Sequence, residues 1–232
     1  MRPWFLWNNQ NSDDMGLWIS KLPKITRAKE RYETVDIPGR AGSLTLLEGE
    51  DIYEPYVKEC TVQTVNWNPR MEEILDWLRG NGELVFSNEI EYMYRGRIAG
   101  EVSFERIGNN LLQARIPFFV EPFKRSRYPD KDNIIVTDES ALIVNVGNVA
   151  SHPVVCITGS GSNVITIADQ EMSFSGISGT IVVDCDAEII TKDDEIWTGT
   201  YSGDFWKIPV GTQYISQTGN MSIAVEPHWR WV

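Results

Sequence analysis

The chain has 232 residues, 42% of them hydrophobic and 23% charged, which suits one large or two small soluble domains with ample core. Its net charge of −12 is uneven: residues 1–128 carry 17 Lys and Arg against 19 Asp and Glu, whereas residues 129–232 carry 4 against 14, giving nets of −2 and −10. An acidic second half and scattered bases in the first argue against direct DNA readout, and no apolar run is long enough to span a bilayer.

The Met1-Arg2-Pro3-Trp4 start lacks a signal-peptide core, so a protein made and folded in a cytoplasm, without membrane insertion, is expected. Cys60, Cys156 and Cys185 are odd in number, widely spaced and set among apolar neighbours. That pattern is neither a disulfide framework nor a zinc site, and predicts reduced, buried thiols.

In chain order, residues 4–7, 32–37, 43–47 and 57–65 read as strands, as do 83–86, 92–98, 102–107 and 111–120. The stretch VDIPGRAGSL, residues 35–44, has the glycines and the basic residue of a phosphate loop. Gly39-Arg40-Ala41-Gly42 is not followed by Lys-Ser or Lys-Thr, however, and the polar and apolar alternation of Ser43-Leu44-Thr45-Leu46 is that of a strand. The stretch therefore predicts a turn between two strands, with Arg40 at its tip as a candidate partner contact.

Residues 68–82, NPRMEEILDWLRGNG, predict the one helix, near 69–79. Asn68 suits the N-cap, Pro69 the first helical position and Gly80 the C-terminal stop. Met71, Ile74, Leu75 and Leu78 would form its apolar stripe.

Prolines and alternating charge over residues 121–140 predict a boundary between an N-terminal β-rich domain, 1–130, and a C-terminal β-sandwich, 131–232. The second domain reads as about ten short strands, with 159–163 and 176–179 as turns. The closing HWRWV alternates Trp229 and Trp231, as a strand would with both indoles on one face.

No catalytic constellation emerges. His152 and His228 lie beside prolines, outside any metalloprotease or nucleophile-elbow pattern. Asp184, Asp186 and Glu188 alternate, and on a strand would share one face; a solvated face, a cation site and a glycan-hydrolysing carboxylate pair are the readings open there. No catalytic, cofactor or metal residue is assigned. Trp4, Phe5, Trp7 and Trp18 are many aromatics for one chain end; core packing and burial against a second subunit both suit them.

The ordered series YETVDIPGRAGSLTL, VKECTVQ, the Asn-Pro helix ending WLRGNGEL, YMYRGRI, ARIPFFVEPFKR, NVGNVASHPVVCITGSG, IVVDCDAE, YSGDFWKIPVGTQYI and VEPHWRWV resembles the distal tail protein (Dit) family of siphophages and related prophages, over nearly the whole chain. The resemblance implies a mainly β fold: a barrel- or sandwich-like ring-forming domain with one short helix, then a galectin-like sandwich. It implies a structural, non-enzymatic role without cofactors at the virion tail tip, assembled in the host bacterial cytoplasm. It further implies a homohexameric ring that lets DNA pass. The ring would join the tail tube protein to a tail-associated fibre or lysin protein and to receptor-binding proteins. Trp4, Phe5, Trp7, Trp18 and Arg40 are then the candidate subunit contacts. The alternative class is a carbohydrate-binding module for host cell-wall sugar.

Overall fold

The computed structural model describes residues 2–232 except Glu48, Glu50 and Thr137, and omits the side chain of Asp130. Packing divides the chain into one unit that runs to Arg127, with Val232, and a second that spans Tyr128–Trp231. Both are built of antiparallel β-structure, and the fold is mainly β, as expected.

The first unit contains β1 (Phe5–Trp7), β2 (Gln10–Asn11), β3 (Trp18–Lys21), β4 (Tyr32–Asp36), β5 (Ser43–Leu47), β6 (Tyr56–Val65), α1 (Met71–Trp77), β7 (Asn81–Phe86), β8 (Tyr92–Ile98), β9 (Phe104–Arg106) and β10 (Leu111–Ser126). The main sheet runs β2-β1-β7-β8-β10-β6-β3, with β9 also on β10. β6 alternates, burying Lys58, Cys60, Val62 and Thr64, and pairs with β10 over ten residues from Val65↔Leu111 to Tyr56↔Val120. β10 runs beyond the expected strand, through Pro122, with a register shift against β8 between Val120 and Lys124. The core centres on Phe5, Trp7, Phe86 and Phe118, whose rings meet at 5.4–6.3 Å.

The helix is shorter than expected, and Asn68 is not its cap. Asn68 Nδ2 donates to the Met15 carbonyl (3.1 Å) and Thr64 Oγ1 (2.9 Å), while its Oδ1 accepts from the Arg70 N–H (2.9 Å). Its side chain thus shapes the Pro69-Arg70 turn, and the helix begins two residues later than expected, at Met71. The buried positions are Ile74 and Leu78, not the full expected stripe. Trp77 stacks on Phe5 at 5.5 Å and donates from Nε1 to the Trp7 carbonyl (3.0 Å), which turns Leu75 to solvent.

The second unit contains β11 (Ile134–Val136), β12 (Ser140–Asn145), β13 (Val154–Ile167), β14 (Gln170–Asp184), β15 (Ile189–Lys192), β16 (Glu195–Ile196), β17 (Thr200–Ser202), β18 (Gly211–Gln217), β19 (Ser222–Glu226) and β20 (Arg230–Trp231). The order is β11-β19-β13-β14-β15-β16, with β17 on β14, β18 on β13 and β12 on β18. Here 159–163 and 176–179 are not turns. They face each other in the middle of the long β13–β14 hairpin, with Gly159↔Gly179 and Ser160↔Ser178 in register. The real turn is Ala168-Asp169, at φ of +50° and +63°, the doubly left-handed bend that suits the twist of a two-residue hairpin. Val155, Ile157, Ile165, Ile167, Phe174 and Ile181 fill the core with Trp206; Trp229 and Trp231 both pack on it.

Candidate functional site

The residues singled out for chemistry do not converge. β14 ends at Asp184, and Asp186 and Glu188 lie in the turn that follows, so the three carboxylates do not share a strand face. Asp184 Oδ1 instead accepts from the backbone N–H of Asp186 and of Ala187, both at 2.9 Å, folding the turn onto itself. His152 Nδ1 lies 3.1 Å from Asp186 Oδ1 on the surface. Among the described residues no three His, Cys, Asp or Glu side chains are grouped to hold a metal ion. Cys60 and Cys185 are free and buried, and burial pushes the Cys185 thiol up to about 12; Cys156 is half-buried.

A buried polar cluster in the first unit escaped the sequence reading. Lys58 Nζ donates to Glu89 Oε2 (2.8 Å) and Tyr94 Oη (2.9 Å); Tyr94 donates to Glu89 Oε1 (2.8 Å), which also meets Lys124 Nζ at 3.1 Å. Burial alone would raise the Glu89 carboxyl, but hydrogen bonds from Lys58 and Tyr94 and the neighbouring positive charge together hold it below the usual carboxylate range. Burial also pushes the Tyr56 hydroxyl up to about 12. The cluster ties down the segment before β4: Lys58 Nζ donates to the Lys24 carbonyl (3.3 Å) and Tyr56 Oη to that of Thr26 (3.4 Å). Its trace in the sequence is Lys58 itself, which stands in phase with Cys60 and Val62 on the inward side of β6.

From that anchored root rises an arm. β4 and β5 form a separate two-stranded sheet, in register from Tyr32↔Leu47 to Asp36↔Ser43, and Lys29 and Arg31 continue the pairing below it with Glu54 and Ile52. The loop between them is the expected turn, with Gly39 and Gly42 both at φ +82° and Arg40 exposed. Cross-strand partners share a face, so Val35, Leu44 and Leu46 line one side of the arm. Leu44 is 37% exposed, Leu46 45% and Leu47, on the other face, 63%. A lone two-stranded hairpin is at best marginally stable in water. Apolar side chains are thus exposed on both faces of the arm, a feature that commonly marks interaction surfaces.

The aromatic candidates divide. Phe5 and Trp7 have no accessible surface in the isolated chain and serve the core, so in this conformation they offer nothing to a second subunit. Trp4 and Trp18 remain partly exposed: the Trp4 ring lies 5.8 Å from the Arg127 guanidinium, and Trp18 Nε1 donates to Gln63 Oε1 at 3.2 Å. An open concavity of about 680 Å³ lies over β7, β8 and β10, where Arg97 covers the Phe119 ring at 4.8 Å. On the second unit a cleft of about 270 Å³ is lined by the hydroxyls of Ser173, Ser175, Thr200 and Ser202 and by half-exposed Tyr201.

No family model matches the sequence, and no curated protein matches it. Among solved structures the chain is similar to the Dit protein (gp 19.1) of SPP1, described as a paradigm of the hub adsorption apparatus in phages that infect Gram-positive hosts. The two share 14% sequence identity at a TM-score of 0.74, over 97% of this chain and 98% of that one. In fold, though at low identity, this chain is Dit-like from end to end.

Proposed function

We propose that this chain is a distal tail protein of a siphophage or prophage: a structural hub, not an enzyme, that assembles as a hexameric ring through its first unit. The observation that carries this reading is the likeness to a tail hub protein over both units. The arm supplies the physical reason to assemble, because Val35, Leu44 and Leu46 need a surface that their own unit does not provide. A ring closes when the same head-to-tail interface repeats, each copy burying on the order of 1,000 Å² or more. Trp4, Trp18 and Arg40 remain the candidates for that interface. Its central hole would pass DNA without reading it. The tube protein, the fibre or lysin protein and receptor-binding proteins would dock around it at the virion tail tip.

Light scattering and negative-stain images of the purified protein test the reading. A ring with a central hole near 158 kDa, six times 26.4 kDa, is expected. A particle that stays monomeric at micromolar concentration, even with the neighbouring tail proteins added, overturns it.

The hydroxyl-lined cleft beside Tyr201 supports a second reading, a carbohydrate-binding module for neutral cell-wall sugar. Saturable binding of neutral cell-wall polysaccharide, lost in Tyr201→Ala, would favour it; no binding at millimolar sugar ends it.

A further inference from the structure

The second unit carries an apolar strip that its own core leaves uncovered. β12 pairs in register with β18, from Ser140↔Ser216 to Asn145↔Gly211, and among the described residues with no other strand. Ile143 and Asn145 point inward and are buried. Outward stand Leu142 (53% exposed), Val144 and Val146 (59%); Tyr214 (68%) lies directly across from Leu142. Neither strand bears a charged side chain. At the Ser140 end of this ribbon an open cavity of about 530 Å³ is lined by Asp138, Glu139, Thr218 and Asn220. Gln217 holds that corner in place: its backbone N–H donates to the Glu139 carbonyl (2.9 Å) and its Nε2 to that of Asp138 (3.2 Å).

We propose that this ribbon is the docking surface for an extended, basic segment of another protein, which adds as a strand to the open edge of β12. Its apolar side chains would lie on Leu142, Val144 and Tyr214, and a Lys or Arg would enter the Asp138–Glu139 cavity. An exposed edge strand is ordinarily blunted by charge, proline or a covering element, and β12 has neither charge nor proline along its length. Strand addition satisfies the free backbone groups and reads alternate side chains. Charge selects the occupant. The ribbon itself is uncharged, but Asp138 and Glu139 stand at its end and the unit carries 4 Lys and Arg against 14 Asp and Glu, so a second copy would bring one unit of net −10 against another, whereas a basic segment meets a complementary potential. The ribbon shares no residue with the arm, so this inference stands or falls apart from ring assembly.

The test uses the full-length protein and a fluorescein-labelled eight-residue peptide alternating leucine with lysine, read by fluorescence anisotropy. The same peptide with glutamate in place of lysine is the charge control. Saturable binding of the basic peptide only is expected. It should weaken tenfold or more in Leu142→Ser/Tyr214→Ser with thermal unfolding unchanged, and threefold or more in Asp138→Asn/Glu139→Gln. N-methylation of alternate peptide amides should also weaken it, and Leu75→Ser on the helix should leave it as in the parent. Equal binding of both peptides, or a double serine variant that binds like the parent, overturns the proposal. So does self-association of the parent protein that the serine pair abolishes, since a second copy would then be the occupant.

Discussion

The molecule contains two hairpins that use the same local chemistry to opposite ends. The β13–β14 hairpin buries one face, with Val155, Ile157, Ile165, Phe174 and Ile181 in its unit's core, and turns hydroxyls such as Thr158 and Thr180, 2.9 Å apart, to water. The β4–β5 arm is equally well paired, yet lies outside its unit's core and keeps Leu44, Leu46 and Leu47 exposed. Alternation tells which side chains share a face. It does not tell whether that face meets the chain's own core or another molecule. The buried Lys58–Glu89–Tyr94 cluster marks where one situation gives way to the other, at the root of the arm.

Breaking that root should have the largest effect. Glu89→Gln leaves two lysines beside an uncharged amide in a buried site, and should cost about 3–5 kcal/mol in urea unfolding. The long hairpin comes next: Ile181→Ala opens a cavity in a packed core and should cost about 2–5 kcal/mol by the same measurement.

Acid should act through the same carboxylate. The folded Glu89 pKa lies below its unfolded value of about 4.3, so its stabilisation is present above that pH and is lost as pH falls through the folded value. Thermal unfolding from pH 6 to pH 3 should show the parent losing stability more steeply than Glu89→Gln; equal slopes would remove the cluster from the account.

The arm should behave in the opposite way. Leu44→Ser/Leu46→Ser should change the stability of the isolated chain by no more than about 0.5 kcal/mol per site, while light scattering shows the assembled mass falling toward 26.4 kDa. A stability loss as large as that of Ile181→Ala would show that the arm packs on its own chain. Arg40→Ala, at an exposed tip, should be the mildest, shifting the assembly midpoint less than tenfold.

Several elements were legible because the forces that make them are local. Tyr32–Asp36 and Ser43–Leu47 are strands, and the Gly39–Gly42 stretch is the turn between them, because alternation and left-handed glycines act within a few residues. Elsewhere a local signal misled. Glycines at 159, 161, 176 and 179 suggested turns but lie within a long paired hairpin, where each strand supplies the hydrogen bonds that the other lacks. Asn68 looked like a helix cap, but its side chain bonds to Met15 and Thr64 in three dimensions. The Asp184–Glu188 alternation belonged to a strand that had already ended.

What the order of residues decided by itself was the β-rich texture, the one α-helix among the described residues and the uneven charge. Short-range sterics, side-chain period and composition are written directly in a chain. Only the tertiary structure decided that Phe5 and Trp7 are core, that Lys58 is an internal tether, and that the arm and the β12–β18 ribbon face solvent. Burial depends on what the remote parts of the chain bring alongside, and no window of neighbouring residues contains that.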